Sequence, residues 1–225
     1  IFVENGINAE LIRHVPFGID SSPLIPFRRK TESDVLRIGF IGTLFEHKGP
    51  DLLIKAAQAL PADAKFELKL YGDLNQFPEY GKKLEELANG TAQNRDKISF
   101  PGSFPNKDLG TVLQNMDVLV VPSRWYENTP LVIQSALASK TPLIVTNLGG
   151  MAELIRHEFN GLLFELNNVN SLREQLQRLL DEKDLLATLR ENIAPERSMP
   201  QMVDDIEKVY GEALLSKKTR DTIAG

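Results

Sequence analysis

The chemistry-bearing residues of this chain gather at Ser123-Arg124-Trp125-Tyr126-Glu127-Asn128-Thr129-Pro130-Leu131-Val132-Ile133-Gln134-Ser135. An apolar run over 118–121 precedes them and reads as a buried strand; a helical pattern follows over 130–138. Glu127 therefore stands on a loop at the carboxyl end of a strand, just ahead of a helix. In an open α/β sheet that is where ligands bind. The free N–H groups and the dipole of a helix start favour a phosphate there. Asn128 or Thr129 suits the cap and Pro130 the first helical position. Glu127 then has two readings. It complements the helix dipole, or it orients a hydroxyl-rich group whose phosphate rests on the N–H groups near Thr129, Leu131 and Val132.

A second loop of the same kind runs Gly39-Phe40-Ile41-Gly42-Thr43-Leu44-Phe45-Glu46-His47-Lys48-Gly49. Its glycines allow close backbone approach, and Lys48 supplies a point charge. The spacing is neither that of a Walker A loop, since no Ser or Thr follows the lysine, nor GxGxxG. Lys48 is either a solvated cation or the partner of an anion. A cation at a helix start opposes the dipole, which hints at the second. Gly149-Gly150, ahead of a short helix, makes a tight turn or binds an anion. Tyr71-Gly72-Asp73 and Pro101-Gly102-Ser103 close strands and are plain loops or the lining of the same crevice.

The elements that must place these loops alternate regularly. Strands are expected over 37–42, 66–71, 97–100, 117–121, 143–146 and 161–164, and helices over 49–60, 78–88, 107–114, 130–138 and 151–155. Residues 12–15 read as a further short strand and 21–34 as a loop. Two apolar stripes, Leu172, Leu176, Leu179, Leu180 and then Met202, Val203, Ile206, Val209, Tyr210, Ala213, Leu214, mark closing helices. The pattern implies one doubly wound parallel sheet, Rossmann-like and covered on both faces, over 1–215, with a polar tail at 216–225 that frays. The chain starts at Ile1, and 1–6 reads as a helix end stopped by Gly6, so a piece of a longer protein is expected.

Of 225 residues, 42% are hydrophobic, enough for a real core. A formal net charge of -5 provides no basic field for nucleic acid. The absence of cysteine removes disulfides and thiolate metal sites. His14, His47 and His157 show no metal-ligand spacing, so no metal is expected. No apolar run is long enough to cross a bilayer, and a cytoplasmic location is expected.

Taken in order, Pro16-Phe17-Gly18-Ile19-Asp20, Ile41-Gly42 with His47-Lys48-Gly49, Leu70-Tyr71-Gly72-Asp73, Phe100-Pro101-Gly102, Pro122-Ser123 with Glu127 and Pro130-Leu131, Gly149-Gly150 with Glu153, and Asn160-Gly161 form a series. The series resembles the C-terminal domain of GT-B glycosyltransferases, nearest to the retaining glycosyltransferase family 4, also called group 1. It covers nearly the whole chain.

The resemblance implies a nucleotide-diphosphate sugar as donor substrate and no separate cofactor. It implies that Lys48 contacts the donor phosphates, and that Glu127, the first carboxylate of an E-x7-E motif, faces the donor sugar. Backbone groups around Asn128, Thr129, Leu131 and Val132 then hold sugar and phosphate oxygens, with Gly42 and Gly72 lining the crevice and His47 and Arg124 as additional contacts. The acceptor site belongs to an N-terminal domain absent here, so the isolated domain is expected to bind donor weakly and not turn over.

Two departures stand out. Thr43 occupies a position where the family usually has arginine. Ser135 falls where the second glutamate grips the ribose hydroxyls, a loss worth about 1.5–3 kcal/mol of charge-assisted hydrogen bonding. These departures keep a rival open: a degenerate glycosyltransferase-like module that serves assembly. A nucleotide-sugar epimerase is a further rival, though it calls for more acid/base side chains.

Overall fold

In the computed structural model the apolar runs become six parallel strands. They are β1 Leu36–Ile41, β2 Phe66–Tyr71, β3 Ile98–Ser99, β4 Val118–Val121, β5 Leu143–Thr146 and β6 Gly161–Phe164. The helices are α1 Pro50–Gln58, α2 Pro78–Asn89, α3 Leu109–Gln114, α4 Leu131–Ala138, α5 Gly149–Leu154, α6 Val169–Asp181, α7 Leu185–Glu191 and α8 Met199–Ile223. The structure describes residues 2–90, 93–127, 130–195 and 197–223, with side chains described as far as residue 215. The chain divides into two units: Ser21–Pro195, which holds the sheet, and Ile1–Asp20 with Glu196–Gly225.

Strand order is β3-β2-β1-β4-β5-β6, every neighbouring pair parallel. The chain winds from β1 outward through β2 to β3, returns past its own start to β4, and winds outward again to β6. Its direction reverses between β1 and β4. The loops after those two strands therefore lie side by side at the carboxyl edge, where an α/β sheet opens a crevice. The fold is the doubly wound sheet that the sequence pattern implies.

Packing follows from strand position. Val118, Leu119 and Val120 of β4 and Leu143, Ile144 and Val145 of β5 are all fully buried, as central parallel strands covered on both faces must be. β2 lies nearer the edge and alternates, with Phe66, Leu68 and Leu70 inside and Glu67 and Lys69 half-buried. Helix α1 buries Leu52, Leu53, Ile54, Ala56 and Ala57 and packs against α2 and α6. The α6 stripe of Leu172, Leu176 and Leu179 is buried as its spacing requires.

A charged cluster closes the opposite, amino edge. Arg37 is the second residue of β1 and Asp117 precedes β4. They form a buried two-point ion pair, with Nε 3.0 Å from Oδ2 and NH2 2.8 Å from Oδ1. Lys30 donates to the Leu113 carbonyl at 2.8 Å and to the Thr141 hydroxyl. Burial, reinforced by the Arg190 charge and opposed by Asp117, lowers the Lys30 ammonium to about 7.

Two expectations need correction. Residues 12–15 form no strand; within the smaller unit the segment is held by an ion pair between Arg13 and Glu212 and by an isolated bridge between Ile19 and Ser198. Four residues without a third strand to pair with cannot hold a ladder. The 21–34 stretch is not all loop: Ser22–Phe27 coils into a 3₁₀ helix around its prolines and packs against α3 and α4. Helix α8 spans Met199–Ile223.

Candidate functional site at the β1/β4 switch point

The loop after β1 is held in a narrow backbone course. A 3₁₀ turn, Glu46–Lys48, ends at Gly49, whose φ of 69° is the left-handed conformation that glycine adopts without strain. A side chain at Gly49 would also strike the Pro122 carbonyl oxygen, 2.1 Å from an ideal Cβ. The two loops thus touch through backbone, and only glycine permits it. Pro50 then starts α1 at the position that proline suits.

That contact aligns the side chains. The Lys48 ammonium forms an ion pair with Glu127 Oε1. Ser123 Oγ lies 3.0 Å from the same carboxylate oxygen and 3.1 Å from the His47 carbonyl. Both charged side chains keep some solvent access, 31% for Lys48 and 16% for Glu127. The pair is half-open, so a ligand can reach it.

Helix α4 begins one residue later than the sequence suggests. Pro130 is its N-cap, with φ -64° and ψ 118°, and Leu131 its first helical residue. Proline's fixed φ serves either position, and its side chain gives the helix no cap. Leu131 and Val132 carry the first two N–H groups of the helix, which have no acceptor in its own ladder. Leu131 is exposed, Val132 and Ser135 are half-buried, and Asn128 and Thr129 lie outside the described residues.

The remaining expected residues are distributed unevenly. Gly42 and Thr43 follow β1 and are half-buried. Gly72 closes β2 against them: an ideal Cβ there would stand 2.3 Å from the Gly42 carbonyl oxygen. His47 is exposed, its ring 5.6 Å from that of Phe45 in an edge-on contact. Its carbonyl is the working part, accepting from Arg124 N at 2.7 Å. Gly149 and Gly150 open α5 rather than forming a separate turn.

Arg124 is held by an ion pair with the first turn of α1. Its guanidinium makes a two-point pair with Asp51, at 2.7 and 2.8 Å, and donates to Asn167 Oδ1 at 2.8 Å and to the Glu46 carbonyl. Tyr80 of α2 donates to Asp51 Oδ1 at 2.8 Å. Burial raises the Asp51 carboxyl, but hydrogen bonds from Arg124 and Tyr80 outweigh it and hold the group at about 2. Burial and the Asp51 carboxylate push the Tyr80 hydroxyl up. Sequence reasoning missed Asp51, Tyr80 and Asn167. Asp51 carried only the signal of a first-turn acid after Pro50, which any helix start would show.

Among the described residues, no group of three or more His, Cys, Asp or Glu is arranged to hold a metal. No helix among them is long and apolar enough to cross a membrane.

Comparison with known proteins now decides the family. The model of the glycosyl transferases group 1 family matches residues 22–195. The chain belongs to this family. It is 32% identical over 177 residues to an uncharacterized glycosyltransferase of Methanocaldococcus jannaschii, covering 77% of the chain and 47% of that protein. It is 34% identical over 220 residues to the UDP-Gal:alpha-D-GlcNAc-diphosphoundecaprenol alpha-1,3-galactosyltransferase of Escherichia coli, covering 90% of the chain and 54% of that protein. Among solved structures, Anabaena HepE in complex with UDP and glucose superposes with a TM-score of 0.78 at 21% identity, over 94% of the chain and 60% of HepE. The chain spans about half the length of these curated relatives. The matched group 1 segment coincides closely with the sheet-bearing unit, Ser21–Pro195, and contains every candidate residue.

Proposed function

We propose that this group 1 chain is the donor-binding part of a retaining, family 4 glycosyltransferase of GT-B type, and that it takes a nucleoside-diphosphate sugar. The observation that carries the reading is the meeting of Lys48 and Glu127 at the switch point, on the loops that lead into α1 and α4. A diphosphate there gains an ammonium, two unbonded helix-start N–H groups and the favourable end of a dipole. Breaking the anomeric carbon–oxygen bond leaves the extra charge on that diphosphate, and these fixed groups stabilise it as it develops. Glu127 holds the donor sugar. Gly42, Thr43 and Gly72 line the crevice, and the Leu131 and Val132 amides, with Ser135 one helical turn further, face the nucleotide side. HepE was solved with UDP and glucose, and the name of the Escherichia coli relative includes UDP-Gal; both support a uridine donor. The acceptor and its base belong to the remainder of a longer protein acting in the cytoplasm, so this chain alone binds donor without turnover.

Calorimetric titration with UDP-, GDP- and ADP-sugars tests the reading. The expected result is weak saturable binding, best with UDP-sugars. Lys48→Ala lowers it by about ten- to hundredfold, the cost of one charge-assisted contact. Ser135→Glu restores a ribose contact and strengthens it. A folded chain that binds none of these donors, in any variant, would favour the degenerate assembly module instead.

A further inference from the structure

Arg124 touches both halves of the site without facing either charged group. Its main-chain N–H donates to the His47 carbonyl at 2.7 Å, and its guanidinium donates to the Glu46 carbonyl. Those two carbonyls belong to the turn that carries Lys48. Arg124 also lies three positions before Glu127. One residue therefore ties the lysine turn to the glutamate loop.

The other side of the guanidinium is anchored on rigid elements. Asp51 sits in the first turn of α1 and takes both terminal nitrogens. Tyr80 from α2 fixes the same carboxylate. Asn167, in the loop after β6 with a φ of 58°, takes Nε. Four guanidinium hydrogen bonds thus reach three groups: the Asp51 carboxylate, the Asn167 side chain and the Glu46 carbonyl. A planar fork with rigid donors suits this geometry, and a lysine ammonium could not reproduce it. The Arg124 and Asp51 side chains are only 21% and 17% exposed, so water does little to screen their pairing.

We infer that Arg124 is a positioning residue, which with Asp51 sets the distance between Lys48 and Glu127, and is not itself a phosphate contact. The inference rests on the donor-binding reading and deepens it. Its charge is already committed to Asp51. Its leverage comes from geometry: a displacement of about 1 Å in a binding group can cost up to a hundredfold.

The two roles make opposite predictions for Asp51. Were Arg124 a phosphate contact, Asp51→Asn would remove a competing anion and leave donor binding equal or tighter. As a positioning pair, Asp51→Asn and Arg124→Lys should each weaken UDP-glucose about tenfold or more. The double variant should be no worse than either single one, because both remove the same link. The ratio of UDP-glucose to UDP affinity should fall in all three, since Glu127 is set for the sugar; general loss of stability would lower both affinities alike. Tyr80→Phe, which removes only the outer hydrogen bond, supplies a milder variant should either single change prevent folding, and should shift the ratio in the same direction. Titration of the whole chain at a temperature where circular dichroism shows each variant folded gives the answer. Asp51→Asn binding UDP-glucose as well as or better than the parent would overturn the inference, while Lys48→Ala still losing affinity would leave the donor reading intact. A parent chain that binds neither UDP nor UDP-glucose would remove the donor reading and the inference with it.

Discussion

Lys48 and Glu127 pair with one another, so on the proposed reading a diphosphate at Lys48 competes with a carboxylate. That exchange sets a sign that differs from the simplest view of Glu127 as a ligand. Glu127→Gln frees the ammonium and should tighten binding of UDP alone by several-fold, while reducing the extra affinity contributed by a sugar; titration of UDP beside UDP-glucose separates the two. At the amino edge, Asp117 compensates Arg37 inside the protein. Asp117→Ala leaves that guanidinium buried without its partner and should cost about 3–5 kcal/mol in chemical denaturation. A cost under about 1 kcal/mol would mean that water reaches the cluster freely. The loops that carry Lys48 and Glu127 were legible from sequence because each leads from a strand to a helix, with Gly49 next to the lysine and Pro130 three positions after the glutamate. Arg124 was not, since a guanidinium in a loop looks free until its partner appears 73 positions earlier in the chain.

Among the elements, the junction of the 3₁₀ turn with α1 is the most constrained. Gly49 has a left-handed φ and no room for a Cβ beside Pro122. Gly49→Ala should destabilise the chain by more than the 1–2 kcal/mol that a left-handed alanine costs by itself, roughly, because the two loops must also part. Donor binding should fall with it. Wild-type stability in denaturant titration would refute that account. Short apolar runs and the 3.6-residue period revealed all six strands and most helices, since buried parallel strands and one-sided helices write their packing into composition. They failed where packing, not pattern, decides. The 12–15 run has Ile12 and Val15 at its ends but pairs with no strand among the described residues. The proline-rich 3₁₀ turn exists because α3 and α4 offer it a surface.

For the molecule as a whole, charge burial predicts the pH response. Lys30 binds its proton at about 7 in the folded chain, against 10.5 when exposed. Between those values the unfolded chain carries a proton that the folded one lacks, so stability rises with pH and is lost as pH falls towards 7. The melting temperature should climb from pH 7 to 9, and Lys30→Met should flatten that climb; an unchanged slope would show that Lys30 stays charged when folded. The chain matches about half the length of its curated relatives, and the proposed function gives it a donor site rather than a whole transfer. That claim meets its most direct test in a crystal structure of the chain soaked with UDP-glucose. The account predicts the diphosphate at the opening turn of α4, within hydrogen-bond distance of the Lys48 ammonium, with the Glu127 carboxylate turned to the sugar. A diphosphate bound elsewhere, with the Lys48–Glu127 pair still closed, would contradict it.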